Sequence, residues 1–287
     1  MLSGFTIVRN AVKLDFPIIP AIRSVLEVCD EVVVDVGKSE DGTRDLVASI
    51  NDARVRILDS EWDLSRQSAV LADATDRAMA ACRGRWGLYI QADEVLHEGG
   101  ARILADTVRA CDDDPRVEGL LVRYLHFFGS LDTIATGRRW YRREVRCVRL
   151  SEAVHAFQDA QGFRVGPDDR RIRARLTDAV MFHYGWARPA PAIHEKHEAS
   201  KTIFPWSRER SAREQRRGYL EWEPLLRRFT GAHPRAANGW VRERMGNTER
   251  RIGPRHWKPE HIRLYFSDWI ERLTGERIFE FRNYRLV

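Results

Sequence analysis

Residues 31–43 read EVVVDVGKSEDGT, and this stretch decides the predicted fold. Its first half is a nearly continuous run of β-branched residues, which is typical of a strand buried on both faces of a sheet. Its second half combines two glycines with small polar residues, a composition that favours a turn. A helix is predicted to follow from about Thr43. A strand, a turn and a helix in succession form the repeating unit of a parallel sheet.

The same alternation continues on both sides of this stretch. Strands are predicted at residues 5–8, 31–36, 55–58 and 86–90, and helices at residues 17–28, 43–50 and 66–82. Strands that are separated by helices imply right-handed crossovers and parallel pairing. We therefore predict an α/β fold with a mostly parallel central sheet flanked by helices. In such sheets ligands bind beyond the carboxyl ends of the strands, where Asn10, Asp35, Asp59 and Asp93 stand.

The second half of the chain has a different pattern. Further strands are predicted at residues 119–127, 140–150 and 180–184, after a helix near residues 100–110. Beyond them, helical patterns are interrupted by prolines and carry five well-separated tryptophans. The Pro189-Ala190-Pro191 stretch is the best candidate boundary. It divides the chain into a domain at residues 1–189 and a basic, Trp-rich helical extension at residues 190–287.

The net charge of +6 conceals a gradient along the chain. Residues 1–118 carry a net charge of −8, residues 119–189 carry +6 and residues 190–287 carry +8. The basic residues are 43 arginines and 5 lysines, a bias that the codon usage of a GC-rich genome also produces. The gradient nevertheless indicates a partner that carries phosphate for the basic half.

Composition and missing motifs exclude several classes of protein. A chain that is 43% hydrophobic and 31% charged is typical of a globular protein. No apolar run approaches the roughly 20 residues of a membrane-spanning helix. The first residues have neither the basic nor the apolar region of a signal peptide. The four cysteines lack paired spacing, so we expect reduced thiols and a cytoplasmic protein, with a position at the inner face of the membrane left open.

Signature loops of several enzyme classes are also missing from the sequence. It contains no P-loop, no dinucleotide-binding GxGxxG after the first strand and no GxSxG nucleophile elbow. The His194-Glu195-Lys196-His197 stretch places its second histidine one residue too early for an HExxH zinc site. P-loop NTPases, Rossmann dehydrogenases, α/β-hydrolases and structural zinc proteins therefore lose support.

Carboxylates near strand ends are the first candidates for chemistry. Asp93 and Glu94 close the strand at residues 86–90, where carboxylate oxygens could bind a hard cation such as Mn²⁺ or Mg²⁺. A helix N-cap or a turn acid is an equally good interpretation of the spacing. Asp35 lies within a buried run, so it needs partners, which either a ligand or the backbone of the following turn could supply.

A histidine and an arginine cluster complete the candidates. His183 lies between apolar residues, where a hydrogen-bonded core histidine is the commoner case. Arg142 and Arg146 would share one face of a strand at residues 140–150. Guanidinium groups bind diphosphate in bidentate fashion, so this face could meet a nucleotide, although a solvated basic face is as good an interpretation.

The order and spacing of these stretches resemble family 2 glycosyltransferases with the GT-A fold. The segments FTIVRNA, EVVVD with DGT, RVRILDSEW and QADE carry the resemblance, which covers residues 3–190 and is strongest over 3–100. It implies a nucleotide-binding half at residues 1–100 and an acceptor half at 101–189. It also implies that the family's DxD motif reads Gln91-Ala92-Asp93 here.

The resemblance implies roles for individual residues. The strand-end Asp35 would contact the nucleotide, Gln91 would bind a donor hydroxyl, and Asp93 would bind Mn²⁺ or Mg²⁺ together with His183. The implied nucleotide-sugar-binding residues are Val8, Asn10, Asp35, Lys38, Asp41, Arg66, Gln91, Ala92, Asp93, Arg142 and Arg146.

The activity implied by the resemblance is an inverting, metal-dependent glycosyltransferase of hexosyltransferase type. A UDP- or GDP-linked sugar would pass to an acceptor hydroxyl in the synthesis of a cell-surface polysaccharide, glycolipid or glycoconjugate. The base that deprotonates the acceptor is expected at Asp159, with Glu144 as the second candidate and Asp132 and His155 as rivals.

Alternatives from other classes stay open at this point. A nucleotidyltransferase would use a similar sheet, and a nucleic-acid-binding protein could use the Arg- and Trp-rich tail, although no reader motif is visible and we expect no nucleic-acid partner. Residues 259–273 form an apolar helical stripe, more typical of a packing face than of a membrane surface. Peripheral membrane contact and a homo-oligomer therefore stay open as well.

Overall fold

The fold was analysed in a computed structural model that describes residues 1–204, 220–245, 252–278 and 280–287. The N-terminal part alternates strands and helices as expected. Its elements are β1 (Leu2–Val8), α1 (Ile18–Leu26), β2 (Glu31–Gly37), α2 (Thr43–Ala48), β3 (Val55–Ser60), a 3₁₀ turn (Leu64–Arg66), α3 (Ala69–Ala80) and β4 (Trp86–Tyr89). The first four strands lie side by side in the order β3-β2-β1-β4, and all three pairings are parallel.

The following residues extend this sheet in mixed directions. The elements are β5 (Glu94–Leu96), α4 (Glu98–Cys111), β6 (Gly119–Phe128), β7 (Thr133–Ala135), β8 (Arg143–Arg149), β9 (Val154–Phe157), β10 (Gly162–Val165) and β11 (Arg170–Trp186). Strand β8 pairs antiparallel with both β4 and β6, and β11 runs parallel to β6. The predicted α/β fold with a central sheet flanked by helices is confirmed, with its parallel pairing concentrated in the N-terminal half.

The core lies on both faces of the sheet because the β-branched run of β2 is buried along its whole length. Val32 and Val34 pack with α1 and α4 in one cluster of buried side chains. Val33 points to the opposite face, where it packs with Phe5 and with Ala74 of α3. Alternate residues of one strand therefore hold helices on both sides of the sheet.

Two features of the middle region were not predicted. The predicted strand at residues 180–184 is the last part of the 17-residue strand β11, whose first part alternates arginines with apolar residues. The β9–β10 hairpin was also missed, because its strands are only four residues long and joined by a turn with Gln158 and Ala160 at positive φ.

The C-terminal residues add helices and two further strands. The described elements are α5 (Ala190–Ile203), β12 (Leu226–Arg228), a 3₁₀ turn (Arg235–Ala237), α6 (Asn238–Met245), α7 (Glu260–Thr274) and β13 (Tyr284–Leu286). Strand β12 pairs with β7, and β13 pairs with β11. The division at residue 189 stays a prediction, and of the five tail tryptophans Trp206 lies outside the described residues. Among the described helices, none is both long enough and apolar enough to cross a bilayer.

Candidate active site

Asp93 and His183 are neighbours although ninety residues separate them in sequence. Asp93 lies in the turn that joins β4 to β5, and β5 pairs antiparallel with β11 so that Glu94 is opposite His183. The Asp93 backbone carbonyl accepts a hydrogen bond of 2.8 Å from the Tyr184 amide. This register brings Asp93 Oδ2 to 3.6 Å from His183 Nε2. The pair is therefore built by the sheet.

Gly185 keeps a space open between these two side chains. A Cβ atom at this position would lie 2.6 Å from Asp93 Oδ2 and 2.6 Å from His183 Nε2. Real Cβ atoms do not approach other atoms so closely, so any larger residue would displace one of the two groups. The glycine leaves room for a small ligand shared by the carboxylate and the imidazole.

A second histidine determines which nitrogen of His183 carries a proton. His126 Nε2 lies 2.7 Å from the Tyr141 carbonyl oxygen, which only accepts, so Nε2 of His126 is protonated. Burial, together with the neighbouring His183, lowers the pKa of His126 well below its usual value, so this ring is neutral. Its Nδ1 therefore accepts, at 3.0 Å, the proton on His183 Nδ1. The other ring nitrogen, His183 Nε2, is then the one directed towards Asp93.

The donor set fits a divalent cation that is shared with a phosphate ligand. Asp93 offers a carboxylate oxygen and His183 a ring nitrogen, 3.6 Å apart, and one cation could bind both. Within the described residues, no group of three or more His, Cys, Asp or Glu side chains is arranged to hold a metal. A two-residue set leaves coordination positions for ligand oxygens, as Mg²⁺ and Mn²⁺ sites in nucleotide-dependent enzymes require.

Two basic side chains stand beside Asp93, and neither was predicted from the sequence. Burial raises the pKa of Asp93, but His183, Lys196 and Arg188 outweigh it and hold this pKa well below the usual range. Arg188 is buried, and its Nη2 donates a 3.0 Å hydrogen bond to the Gly185 carbonyl. Lys196 Nζ donates to the same carbonyl at 2.9 Å. Arg188 therefore comes from the residues just after strand β11, and Lys196 comes from helix α5.

One hydrogen-bond donor of Arg188 is unpaired among the described residues. Its Nε is buried and has no hydrogen-bond partner among the residues that the structure describes. Burial lowers the pKa of Arg188 to about 10, against the opposing effect of Asp93 and Asp15. A buried guanidinium with an unused N–H is costly without an anion, and it matches the needs of a phosphate oxygen. The signal in the sequence was an arginine just after a predicted strand, at its ligand-binding end.

The loops after β1 and β2 are joined to each other. Asn10, at φ 54°, accepts a 2.9 Å hydrogen bond from the Glu40 amide. Asp41 accepts from the Lys13 amide at 2.8 Å and from the Thr43 amide at 3.0 Å, at the start of α2. Lys13 forms a 3.1 Å ion pair with Glu195 of α5. These contacts connect the predicted nucleotide loops to the helix that carries Lys196.

Asp35 takes all of its observed partners from the chain. Its carboxylate is fully buried and accepts from Ser60 Oγ at 2.7 Å, Trp62 Nε1 at 2.9 Å and Arg77 Nε at 2.6 Å. The sequence allowed either a ligand or backbone amides as partners. The structure supplies three side chains instead, so the contact of Asp35 with a nucleotide is not needed to explain its burial.

The remaining predicted donor-binding residues have ordinary placements. Lys38 forms an exposed 2.8 Å ion pair with Glu61, and Arg66 forms an exposed 2.6 Å ion pair with Asp73. Val8 is buried at the end of β1 and Ala92 is buried in the turn between β4 and β5, so only their backbone groups could meet a ligand. No hydrogen bond or ion pair among the described residues joins the side chains of these four to Asp93 or His183, and their binding roles stay predictions.

The structure gives Arg142 and Arg146 carboxylate partners within the chain, and their predicted contact with a diphosphate stays a prediction. Arg146 and Glu94 are both entirely buried, and Arg146 donates two hydrogen bonds to the Glu94 carboxylate, of 3.0 and 2.8 Å. Arg142 precedes β8 and forms ion pairs with Glu271 at 2.6 Å and Glu280 at 3.2 Å. Arg146 thus stabilises the Gln91–Glu94 turn through Glu94, and Arg142 joins the C-terminal residues to the sheet.

The two candidate bases differ in accessibility. Glu144 is buried and accepts from Asn283 at 2.9 Å and from Gln161 at 3.2 Å, and burial raises its pKa. Asp159 is half-buried at the tip of the β9–β10 hairpin, and burial raises its pKa also. The side-chain amide of Gln91 donates a 3.3 Å hydrogen bond to the Ala160 carbonyl, so the hairpin tip adjoins the Gln91–Asp93 segment. Asp159 is the better placed of the two.

Comparisons with known proteins found structural likeness only. No family model matches the chain, and no curated protein sequence matches it. TarS 1–349 of S. aureus in complex with UDP is 13% identical, and the match covers 70% of this chain and 64% of that chain with a TM-score of 0.40. Glucosyl-3-phosphoglycerate synthase from Mycobacterium tuberculosis, in complex with Mn²⁺, UDP and glucosyl-3-phosphoglycerate, is 17% identical over 45% of each chain with a TM-score of 0.31. This chain therefore spans less than two thirds of the length of either structure, and the likeness is a partial one in fold.

Proposed function

We propose that this protein is a glycosyltransferase that moves a sugar from a nucleoside-diphosphate donor to an acceptor hydroxyl. One observation carries the proposal: Asp93 Oδ2 and His183 Nε2 lie 3.6 Å apart across Gly185, with Arg188 and Lys196 beside them. This set combines two donors for a divalent cation with two cations for a phosphate. The resemblance of the sequence to family 2 glycosyltransferases gives the same assignment for Asp93 and His183.

Each residue of the set has a defined task in this reaction. Asp93 and His183 would hold Mn²⁺ or Mg²⁺, which supplies positive charge to the diphosphate when bound. Arg188 offers its unused Nε–H. Negative charge grows on the leaving diphosphate as the bond to the sugar breaks, and fixed cations stabilise it there. Gln91, as an amide, could bind a sugar hydroxyl without adding charge.

The acceptor hydroxyl needs a base, and we assign this role to Asp159. Burial raises its pKa, which makes the carboxylate a stronger proton acceptor. Attack from the face opposite the leaving diphosphate would invert the anomeric centre. The donor is then a UDP- or GDP-linked hexose bound mainly by residues 1–100, and the acceptor belongs to a polysaccharide, glycolipid or glycoconjugate met by residues 101–189.

A nucleotidyltransferase is the alternative with related chemistry. It would use the same cation and basic residues, but the bond that breaks lies between two phosphates. The products separate the two functions, because a glycosyltransferase releases nucleoside diphosphate and a nucleotidyltransferase releases pyrophosphate.

The test measures donor binding by thermal unfolding and turnover by product release. Mn²⁺ with UDP-glucose, UDP-N-acetylglucosamine or GDP-mannose should raise the melting temperature, and a donor at about 100 times its Kd contributes about 2.7 kcal/mol. Asp93→Asn should abolish this rise, whereas the exposed Asp178→Asn should keep it. Asp159→Asn should keep the rise but lower the rate of nucleoside diphosphate release by at least about 100-fold.

Two outcomes would overturn these assignments. Equal stabilisation of Asp93→Asn and wild type by every donor would remove the cation site. Release of pyrophosphate instead of nucleoside diphosphate would favour the nucleotidyltransferase.

A further inference from the structure

Helix α7 turns its apolar face away from the protein. Ile262, Phe266, Trp269 and Leu273 follow one another at steps of four, three and four residues, so they share one side of the helix. Each is between 54% and 66% exposed. The sequence favoured a packing face for this stripe, and the structure places the middle of the stripe in solvent instead.

The opposite side of α7 is polar and faces the sheet domain. Asp268 pairs with Arg227 at 3.1 Å, and Glu271 pairs with Arg142 at 2.6 Å and with Arg277 at 2.7 Å. The side chains of His261, Leu264 and Ser267 are buried on this side. The helix therefore has the reverse of the polarity that a surface helix of a globular protein normally shows. It is held by ion pairs, and its apolar side chains are left for another surface.

The rim of the outer face carries two arginines, and one of them, Arg272, also forms a 2.8 Å ion pair with Asp268. Arg263 and Arg272, both exposed, lie on the two sides of the apolar stripe, with Tyr265 and Ile270 between the stripe and the rim. The two helix acids near the middle, Asp268 and Glu271, are on the inner side. A face of aromatic and aliphatic side chains between arginines is typical of helices that lie in a bilayer surface.

Neighbouring aromatic residues widen the exposed face. Trp257, half exposed, stacks on Tyr265 with ring centres 6.2 Å apart, and Phe266 stacks on Trp269 at 6.0 Å. Single exposed apolar residues are ordinary, but a contiguous set of this size marks an interaction site.

We propose that this outer face of α7 docks on an anionic lipid bilayer. The alternative occupant is a second copy of the chain. Two copies that met symmetrically through this face would bring their arginine rims together, and like charges would repel. Anionic headgroups complement the same rim, and tryptophan and tyrosine rings are suited to the headgroup boundary. The inference does not depend on the proposed function, because it uses no residue of the Asp93 site.

Vesicle sedimentation tests the proposal directly. The full chain is mixed at low salt with vesicles of phosphatidylcholine alone and of phosphatidylcholine with phosphatidylglycerol at 3:1. We expect sedimentation with the anionic vesicles, weakened about tenfold or more by Phe266→Ser/Trp269→Ser and by Arg263→Glu. Ile103→Ser, which removes a partly exposed apolar side chain from α4, should bind like wild type. Unchanged melting temperatures show that these exposed substitutions leave the fold intact.

Several results would overturn the proposal. Wild-type protein that stays in the supernatant with anionic vesicles would do so, as would equal sedimentation of Phe266→Ser/Trp269→Ser. A wild-type dimer at micromolar concentration that the same double variant converts to a monomer, without vesicle binding, would assign the face to a second copy. Asp93→Asn should sediment like wild type, so failure of this proposal is distinguishable from failure of the proposed function.

Discussion

The buried ion pair between Glu94 and Arg146 gives the sharpest prediction for stability. We consider Arg146→Met, which keeps much of the volume of the side chain and removes its charge. Neither Glu94 nor Arg146 has any exposed side-chain surface. Arg146 donates two hydrogen bonds to Glu94, and further ones to the carbonyls of Gln161 at 2.6 Å and Val145 at 3.2 Å. The variant therefore leaves a carboxylate and a carbonyl acceptor without their main donor.

The magnitude follows from the burial of the pair. Removing one partner of a fully buried ion pair typically costs about 3–5 kcal/mol, because the other charge is left uncompensated. Glu94 still accepts hydrogen bonds from the Tyr124 hydroxyl at 2.7 Å and from the backbone amide of Gln91 at 3.0 Å, which favours a loss in the lower part of this range. For a chain of this size the loss corresponds to a fall in melting temperature of roughly 6 °C or more.

Urea unfolding at pH 7 measures the loss, with two companion variants. Arg123→Met removes a comparable ion pair with Asp178 at the surface, and it should cost no more than about 1 kcal/mol. Glu94→Gln/Arg146→Met removes the stranded charge and should recover part of the stability. An Arg146→Met protein as stable as wild type, but unable to bind a nucleotide sugar, would refute the structural role and restore the diphosphate role.

Two further predictions test the site and the sheet. Gly185→Ala should weaken Mn²⁺ binding by at least about tenfold, because its Cβ would lie 2.6 Å from Asp93 and from His183. Calorimetry measures this affinity, and an unchanged value would show that the two side chains do not share a cation. Glu118→Gln should lower the free energy of unfolding at pH 7 by about 1–3 kcal/mol, because hydrogen bonds from Arg170 and Arg173 outweigh burial and lower the pKa of Glu118 to about 2. A lowered pKa stabilises the folded state above the ordinary value near 4.5, so the difference should shrink as the pH falls towards 2, and a constant difference would contradict this cause.

Much of the fold followed from local sequence patterns. The β-branched run at residues 31–36 predicted β2 within a residue, because a strand buried on both faces needs apolar side chains on both. The parallel pairing of the N-terminal strands followed from the helices between them. Strand β11 was less predictable, since its first part alternates arginine with apolar residues and the whole strand pairs with β5, β6 and β13, which are distant in sequence.

The candidate site was predicted only in part. Asp93 and His183 came from the sequence resemblance, and the pairing of β5 with β11 then brought them together. The arginines predicted to bind the diphosphate have carboxylate partners within the chain, which the sequence did not indicate, because side-chain charge gives no information about which residue it will meet. Glu94, which follows the predicted metal-binding residue Asp93, is the partner of Arg146.

By itself the sequence determined the N-terminal strands and helices and the apolar stripe of α7, because each depends on the spacing of side chains along one segment. Only the tertiary structure decided where those segments face. Arg188 and Lys196 reach Asp93 because the chain turns back after β11. The stripe of α7 faces outward because the acids on its other side meet Arg142, Arg227 and Arg277. A periodic pattern defines a face, but partners that are distant in sequence determine whether that face lies against the protein or outside it.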